Sequence, residues 1–289
     1  MSQLTGAAGD VAGRSQPPLS SGTRESDENF PVAMRLLPAG LRRDLRAIYG
    51  VARAVDDLGD DAPGDRLALL AEFETDLRRV WSAERPERDV LRALVPTVEA
   101  HHLAIDPFLA LVEANRLDQV RASYQTWADL RHYCTLSADP VGRIVLAIVG
   151  ATGEDLTAWS DDVCTALQLL EHCQDVGEDR RRGRTYLPQD DLDAFAVTAA
   201  DLDARVTSVT VRDVVRHEVA RAATLLESGA PLVRRLPGAG KIAVAGYVAG
   251  GLATADALRR ADFDVLATAV SPRRIDTARH AIRLLAGRP

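Results

Sequence analysis

Apolar residues recur at spacings of three and four along most of this chain, and that period limits its fold more than any other feature. In "LRRDLRAIYGVARAVDDL", Leu41, Leu45, Ile48, Ala52 and Val55 share one helix face. In "DRLALLAEFETDLRRVW", Leu67, Leu70, Phe73, Leu77 and Trp81 do the same, and Pro63 and Gly64 mark the join. Pro86, Pro107 and Pro140 read as helix starts, where a missing N–H is no loss. "DDVCTALQLLEHCQDVGEDRRRGR" reads as one long helix that ends at Gly183 and Pro188. From "TAADLDARV" onward three further helices are predicted, the longest around "KIAVAGYVAGGLATADALRRA". Its Gly and Ala suit close helix packing, or a cavity widened between helices. Strand-like alternation is scarce. The expected fold is all-α, a single-domain helical bundle.

Residues 1–26 are rich in Gly, Ser and Pro and poor in large apolar side chains. Such a segment buries too little surface to offset its ordering entropy, so a disordered tail is expected, with the folded domain over 27–289. A net charge of −7 argues against a nucleic-acid partner. Cys134, Cys164 and Cys173 lack CxxC spacing and read as reduced, buried thiols of a cytoplasmic protein. No apolar run reaches 18 residues, and the N-terminus lacks an apolar signal-peptide core.

Against this background "RAVDDLGDD", Arg53 to Asp61, is unusual: a buried-looking helix ends in four aspartates. Residues four apart share a face, so Asp56 aligns with Asp60 and Asp57 with Asp61. Two carboxylates one turn apart suit a hard cation such as Mg²⁺, which completes its shell with water and phosphate oxygens. A charged, solvated helix end is the ordinary alternative. A second array makes the cation the stronger reading. Asp175 and Asp179 repeat the spacing at the end of an apolar helix, with Gln168 and Glu171 seven and four residues before Asp175. Two such arrays facing each other would repel unless cations bridged them to an anionic ligand such as a diphosphate. Arg53, Arg180, Arg181, Arg182 and Arg184 supply donors for that anion, or surface ion pairs with the local acids. The histidines show no metal-ligand pairing: His101 and His102 sit near a predicted loop, and His172 reads as a helix-face residue. Ser137 has no evident His/Asp partner.

With these motifs the chain resembles the squalene/phytoene synthase family, the head-to-head prenyl synthases. "AIYGVARAVDDLGDD" is similar to the family's first aspartate motif and "LQLLEHCQDVGEDRRRGRTYLP" to its second. "YCTLSADPVGRIVL" is similar to the segment joining the two halves of the site. The resemblance runs from about Glu28 to Leu285. Within the family, "ENFPVAMRLLP" and the Gln174–Asp175 pair resemble the bacterial hydroxysqualene-forming subgroup of hopanoid pathways. Glu171 departs from the family's usual Asn and adds negative charge, which bears on metal number and affinity.

The resemblance implies an isoprenoid-synthase bundle with a central active-site cavity. It implies Asp56, Asp60, Glu171, Asp175 and Asp179 as ligands to several Mg²⁺ ions, and Arg53 and Arg184 on the diphosphate. Tyr49, Tyr133 and Tyr186 join Arg53 as candidate catalytic residues. Phe30, Gln168 and Tyr247 join the substrate-binding set; half-buried packing explains Tyr247 equally well, and Phe30 could instead staple the first helix. The implied reaction converts presqualene diphosphate and water to hydroxysqualene and diphosphate, with no nicotinamide. Condensation of two farnesyl or geranylgeranyl diphosphates to squalene or phytoene stays open, as does an inactive helical assembly factor. So do peripheral contact with the inner face of a membrane and association with neighbouring enzymes of the pathway.

Overall fold

A computed structural model describes residues 37–287. The expected tail, its boundary and Phe30 lie outside the described residues. Fourteen α-helices follow one another there, with one 3₁₀ turn at Arg79–Trp81. The first group is α1 (Ala39–Asp60), α2 (Arg66–Arg78), α3 (Asp89–His101), α4 (Asp106–Val120), α5 (Trp127–Ser137) and α6 (Asp139–Ile148). The second is α7 (Glu154–Gln174), α8 (Val176–Arg181), α9 (Gln189–Ala194), α10 (Ala199–Leu202), α11 (Val209–Gly229), α12 (Pro231–Arg235), α13 (Gly238–Arg260) and α14 (Arg274–Leu285). Among the described residues the only strand-like pairing is an isolated bridge between Ser123 and Thr185. No described helix is long and apolar enough to cross a membrane.

Local chemistry sets many of the helix starts. Thr126 caps α5 and Asp129 answers it in a capping box, so two end N–H groups are satisfied. Asp65 and Ser208 cap α2 and α11. Pro107 and Pro140 sit in the first turns of α4 and α6, as expected. Pro86 does not start a helix; α3 begins at Asp89. The intervening segment is held by the buried Asp76 carboxylate, which accepts from the backbone N–H groups of Glu87 and Arg88.

Two apolar clusters form the core. One joins Leu45, Ile48, Val51 and Val55 of α1 to Leu70 and Phe73 of α2 and Leu91 and Leu94 of α3. The other is built around Leu169 and Leu170 of α7 and Val211, Val215 and Val219 of α11. α6 divides its side chains between them: Leu146 enters one, Ile144 and Ile148 the other. Fully burying one such leucine contributes roughly 1.5–3 kcal/mol. The Gly/Ala-rich α13 serves close packing. A Cβ at Gly251 would lie 2.8 Å from Leu167 Cδ2 of α7 and 3.0 Å from Leu226 Cδ1 of α11.

Candidate active site

The last turns of α1 carry the first aspartate pair, and α4 crosses them closely. Gly59 makes that crossing possible: a Cβ there would stand 2.1 Å from Asn115 Oδ1. Asn115 Nδ2 donates to Asp56 Oδ1 at 3.1 Å, and Gln119 Nε2 donates to the Gly59 carbonyl at 3.0 Å. Burial pushes the Asp56 carboxyl up to about 6; Asn115 pulls it down, and the Asp60 charge adds to the rise. Asp56 as a residue is exposed. Arg53 Nε pairs with Asp57 Oδ1 at 3.0 Å, one turn along the same helix.

The second pair is not on one continuous helix, contrary to the sequence expectation. α7 stops at Gln174, Asp175 leaves helical geometry at φ −101° and ψ 13°, and α8 restarts at Val176. The Gln174 side chain is drawn off at this break, donating to the Val270 carbonyl at 2.5 Å. The Asp179 N–H still reaches the Asp175 carbonyl at 2.8 Å, so the one-turn spacing survives. Burial raises both carboxyls, Asp179 to about 7, and the Asp175 charge adds to the rise at Asp179. Gly183, at φ +79°, reverses the chain. Thr185 N–H then donates to the Ala122 carbonyl at 2.8 Å and Gln189 N–H to the Tyr124 carbonyl at 2.9 Å. This docking returns Arg184 and Tyr186 to the end of α4.

There the two motifs meet. Arg184 Nη1 contacts Asp60 Oδ1 at 2.7 Å, and Arg182 spans Asp60 Oδ2 at 3.5 Å and Glu178 at 3.1 Å. Arg180 leaves the group and pairs with Asp203 at 2.6 Å. Asp118, one turn beyond Asn115, accepts from Tyr133 OH at 2.6 Å and from Tyr186 OH at 3.0 Å. Burial pushes Asp118 up to about 6 against those bonds and the Arg184 charge. Tyr186 stacks on His172, with centroids 3.8 Å apart and planes 8° off parallel. Tyr124 packs on Tyr133 and Tyr186 at 5.3 and 5.8 Å. Burial alone holds the His172 ring down at about 3, so it is neutral, and its Nε2 is buried without a hydrogen-bond partner. His172, Asp179, Arg184 and Tyr186 line a small pocket closed by Val176 and Leu202.

Of the residues singled out from sequence, Asp60, Asp179, Arg184, Tyr133 and Tyr186 are thus assembled in one constellation. Asp56 and Asp175 flank it. Gln168 and Tyr247 are half-buried on α7 and α13, Tyr49 is half-buried on α1, and Glu171 is exposed. Asn115, Asp118, Gln119, Tyr124 and His172 were missed as site residues. A signal existed for three of them: Asn115, Asp118 and Gln119 lie at i, i+3 and i+4 and so share one face of α4.

The donor set fits Mg²⁺ by its chemistry. Asp56, Asp60, Asp175 and Asp179 offer hard oxygen donors, and three of the four are carboxyls raised by burial that a divalent cation would hold ionised. Among the described residues, the group that brings three donor atoms within 4.8 Å of one another is instead Asp191, His217 and Glu218. That place is filled by Arg221, whose Nη1 lies 2.6 Å from both Glu218 oxygens and 2.9 Å from Asp191 Oδ2. It anchors α9 to α11.

Residues 23–279 match the family model for squalene/phytoene synthase. Hydroxysqualene synthase of Zymomonas mobilis is 37% identical over 213 residues, 72% of this chain and 71% of the relative. Phytoene synthase of Arthrospira platensis is 34% identical over 225 residues, 72% of each chain. The crystal structure of squalene synthase HpnC from Alicyclobacillus acidocaldarius superposes with a TM-score of 0.76 at 41% identity, covering 84% of this chain and 92% of that one. With two aspartate motifs joined through Arg184 beside a tyrosine cluster, and with these matches over most of its length, the chain belongs to the squalene/phytoene synthase family.

Proposed function

We propose that this chain is a Mg²⁺-dependent hydroxysqualene synthase that turns presqualene diphosphate and water into hydroxysqualene and diphosphate. The observation that carries the reading is the junction of Asp60, Arg184, Asp118, Tyr133 and Tyr186, which sets cation and anion donors beside aromatic faces. The hydroxysqualene synthase names of the Zymomonas mobilis and Rhodopseudomonas palustris relatives, 37% and 34% identical, favour this product within the family. Bound Mg²⁺ supplies positive charge for the departing diphosphate. Asp56, Asp60, Asp175 and Asp179 would hold it. Arg184 and Arg182, already at the mouth of the acidic cluster, hold the diphosphate oxygens. The carbon–oxygen bond breaks with its electron pair going to diphosphate. The ring of Tyr133 stabilises the carbocation left behind, and Asp118 fixes its orientation together with that of Tyr186. Water adds to the rearranged cation and releases its proton to solvent.

The test is incubation with presqualene diphosphate and Mg²⁺, with and without NADPH, in ¹⁸O-water, followed by mass spectrometry of the extracted lipid. Labelled hydroxysqualene in both arms is expected. Squalene as the main product with NADPH, or rapid consumption of two farnesyl diphosphates to presqualene diphosphate alone, would overturn the product assignment. Absence of diphosphate release from any prenyl diphosphate would overturn the catalytic reading.

A further inference from the structure

α14 runs antiparallel to α13. The Arg260 guanidinium meets Asp276 near its start, and Lys241 Nζ reaches the Leu285 carbonyl at 3.4 Å near its end. Asp276 and Thr277 are buried, with His280, Ala281 and Leu284 half-buried on the same side. The opposite side is apolar and open to solvent. Ile275, Ile282 and Leu285 are 63%, 68% and 37% exposed, and Ala278 and Ala286 are exposed with them. At about 100° per residue, these five side chains fall in a sector roughly 100° wide. Arg279 and Arg283 border one edge of the sector and Arg274 the other, all exposed.

Single exposed apolar side chains are ordinary; an apolar stripe edged by arginines on one rigid helix is not. Three of the seven large apolar residues exposed among the described residues lie on this one short helix, so they form a patch. The charge on it opposes that of the rest of the chain. Four arginines stand against one aspartate between Arg273 and Leu285, in a protein of net charge −7. A second copy of the same face would bring arginine rows against each other. A surface of anionic lipid headgroups meets both features: the arginines take the phosphates while their stems and the isoleucines enter the acyl boundary. We propose that α14 seats the protein on an anionic membrane surface through Ile275, Ile282 and Leu285. The inference does not depend on which reaction the site performs.

Flotation of the full chain, without substrate, tests it. The probes are vesicles of phosphatidylglycerol mixed with phosphatidylcholine, and vesicles of phosphatidylcholine alone. The protein should float with the anionic vesicles, be released by high salt, and stay behind with the neutral ones. Ile275→Ser with Ile282→Ser should lower the partition coefficient at least about tenfold, with melting temperature and turnover of detergent-dispersed substrate unchanged. Arg274→Glu with Arg283→Glu should lower it on anionic vesicles by a similar factor. Wild type that ignores anionic vesicles, or a serine variant that floats equally well, would overturn the proposal. So would light scattering that shows a dimer made monomeric by the two serines, because the face would then be a self-contact.

Discussion

Arg184 Nη1 stands 2.7 Å from Asp60 Oδ1, joining the end of the first aspartate motif to a residue 124 positions later. The pair is partly shielded, with Asp60 28% and Arg184 12% exposed. A charge-assisted bond of this kind contributes roughly 1.5–3 kcal/mol. On the proposed function, a cation bound by Asp60 would compete with the arginine for the carboxylate and release it toward the diphosphate. The arginine would then oppose metal binding before the diphosphate arrives and support the leaving group afterwards.

Arg184→Gln should separate those two roles. Binding of Mn²⁺, followed by electron paramagnetic resonance without substrate, should tighten severalfold, because a competing positive charge is gone. Turnover should fall by about 10²-fold, the loss of roughly 2.7 kcal/mol of leaving-group stabilisation. Weaker Mn²⁺ binding, or normal turnover, would show that Arg184 does not sit between the two charges.

Asp118 holds two tyrosine hydroxyls at once, and an asparagine side chain would offer only one acceptor oxygen in its place. Asp118→Asn should lower kcat by about tenfold or more while moving the melting temperature by only a few degrees. A double-mutant cycle checks the mechanism: Tyr133→Phe should cost much less in the Asp118→Asn background than in wild type. Additive losses would mean that Asp118 acts without Tyr133.

The helical bundle was legible because its apolar period persists from Leu41 to the α13 helix, and burial of Leu45, Ile48 and Val55 follows that period. Asp60 and Asp179 were legible because their one-turn spacing breaks an apolar face. The kink at Asp175 was not. It coincides with Gln174 donating to the Val270 carbonyl, a contact spanning 96 residues that no local pattern carries. Asp118 escaped notice for a similar reason. Its face with Asn115 and Gln119 reads as an ordinary polar helix face until the bridge between Ser123 and Thr185 brings Tyr186 beside it. The basic, apolar outer face of α14 is spelled in "RRIDTARHAIRLL". The sequence alone shows no clear amphipathic anchor there, because the period cannot say which of two faces meets the protein.

The Asp191–Glu218–Arg221 cluster makes stability depend on pH. Two carboxyls share one guanidinium, and burial pushes fully buried Glu218 up to about 8, against an ordinary value of 4.5. Between those values the folded chain keeps a proton that the unfolded chain has released. Stability therefore falls as pH rises through this window, by at most about 1.4 kcal/mol per pH unit. Urea unfolding from pH 5 to pH 8 should show that decline in wild type and a flatter profile in Glu218→Gln, which stays neutral throughout. Parallel profiles would place Glu218 as an ordinary ionised partner of Arg221.

Gly59→Ala sets two opposed effects against each other. Alanine in a helix is favoured over glycine by at most about 1 kcal/mol, and Gly59 sits in the last turn of α1. The new Cβ, however, would sit 2.1 Å from Asn115 Oδ1 and 3.0 Å from Asn115 Cγ. Asn115 is buried and committed to Asp56 and to the Leu111 carbonyl, so it gives way only by surrendering those bonds. Overpacking of this kind costs about 1–3 kcal/mol, and each lost hydrogen bond about 0.5–1.5 more. The clash should win, leaving Gly59→Ala less stable than wild type by thermal and urea unfolding. In an Asn115→Ala background the obstructing oxygen is absent, and the same substitution should become neutral or stabilising. Equal destabilisation in both backgrounds would show that the approach of α1 to α4 is limited by something other than Asn115.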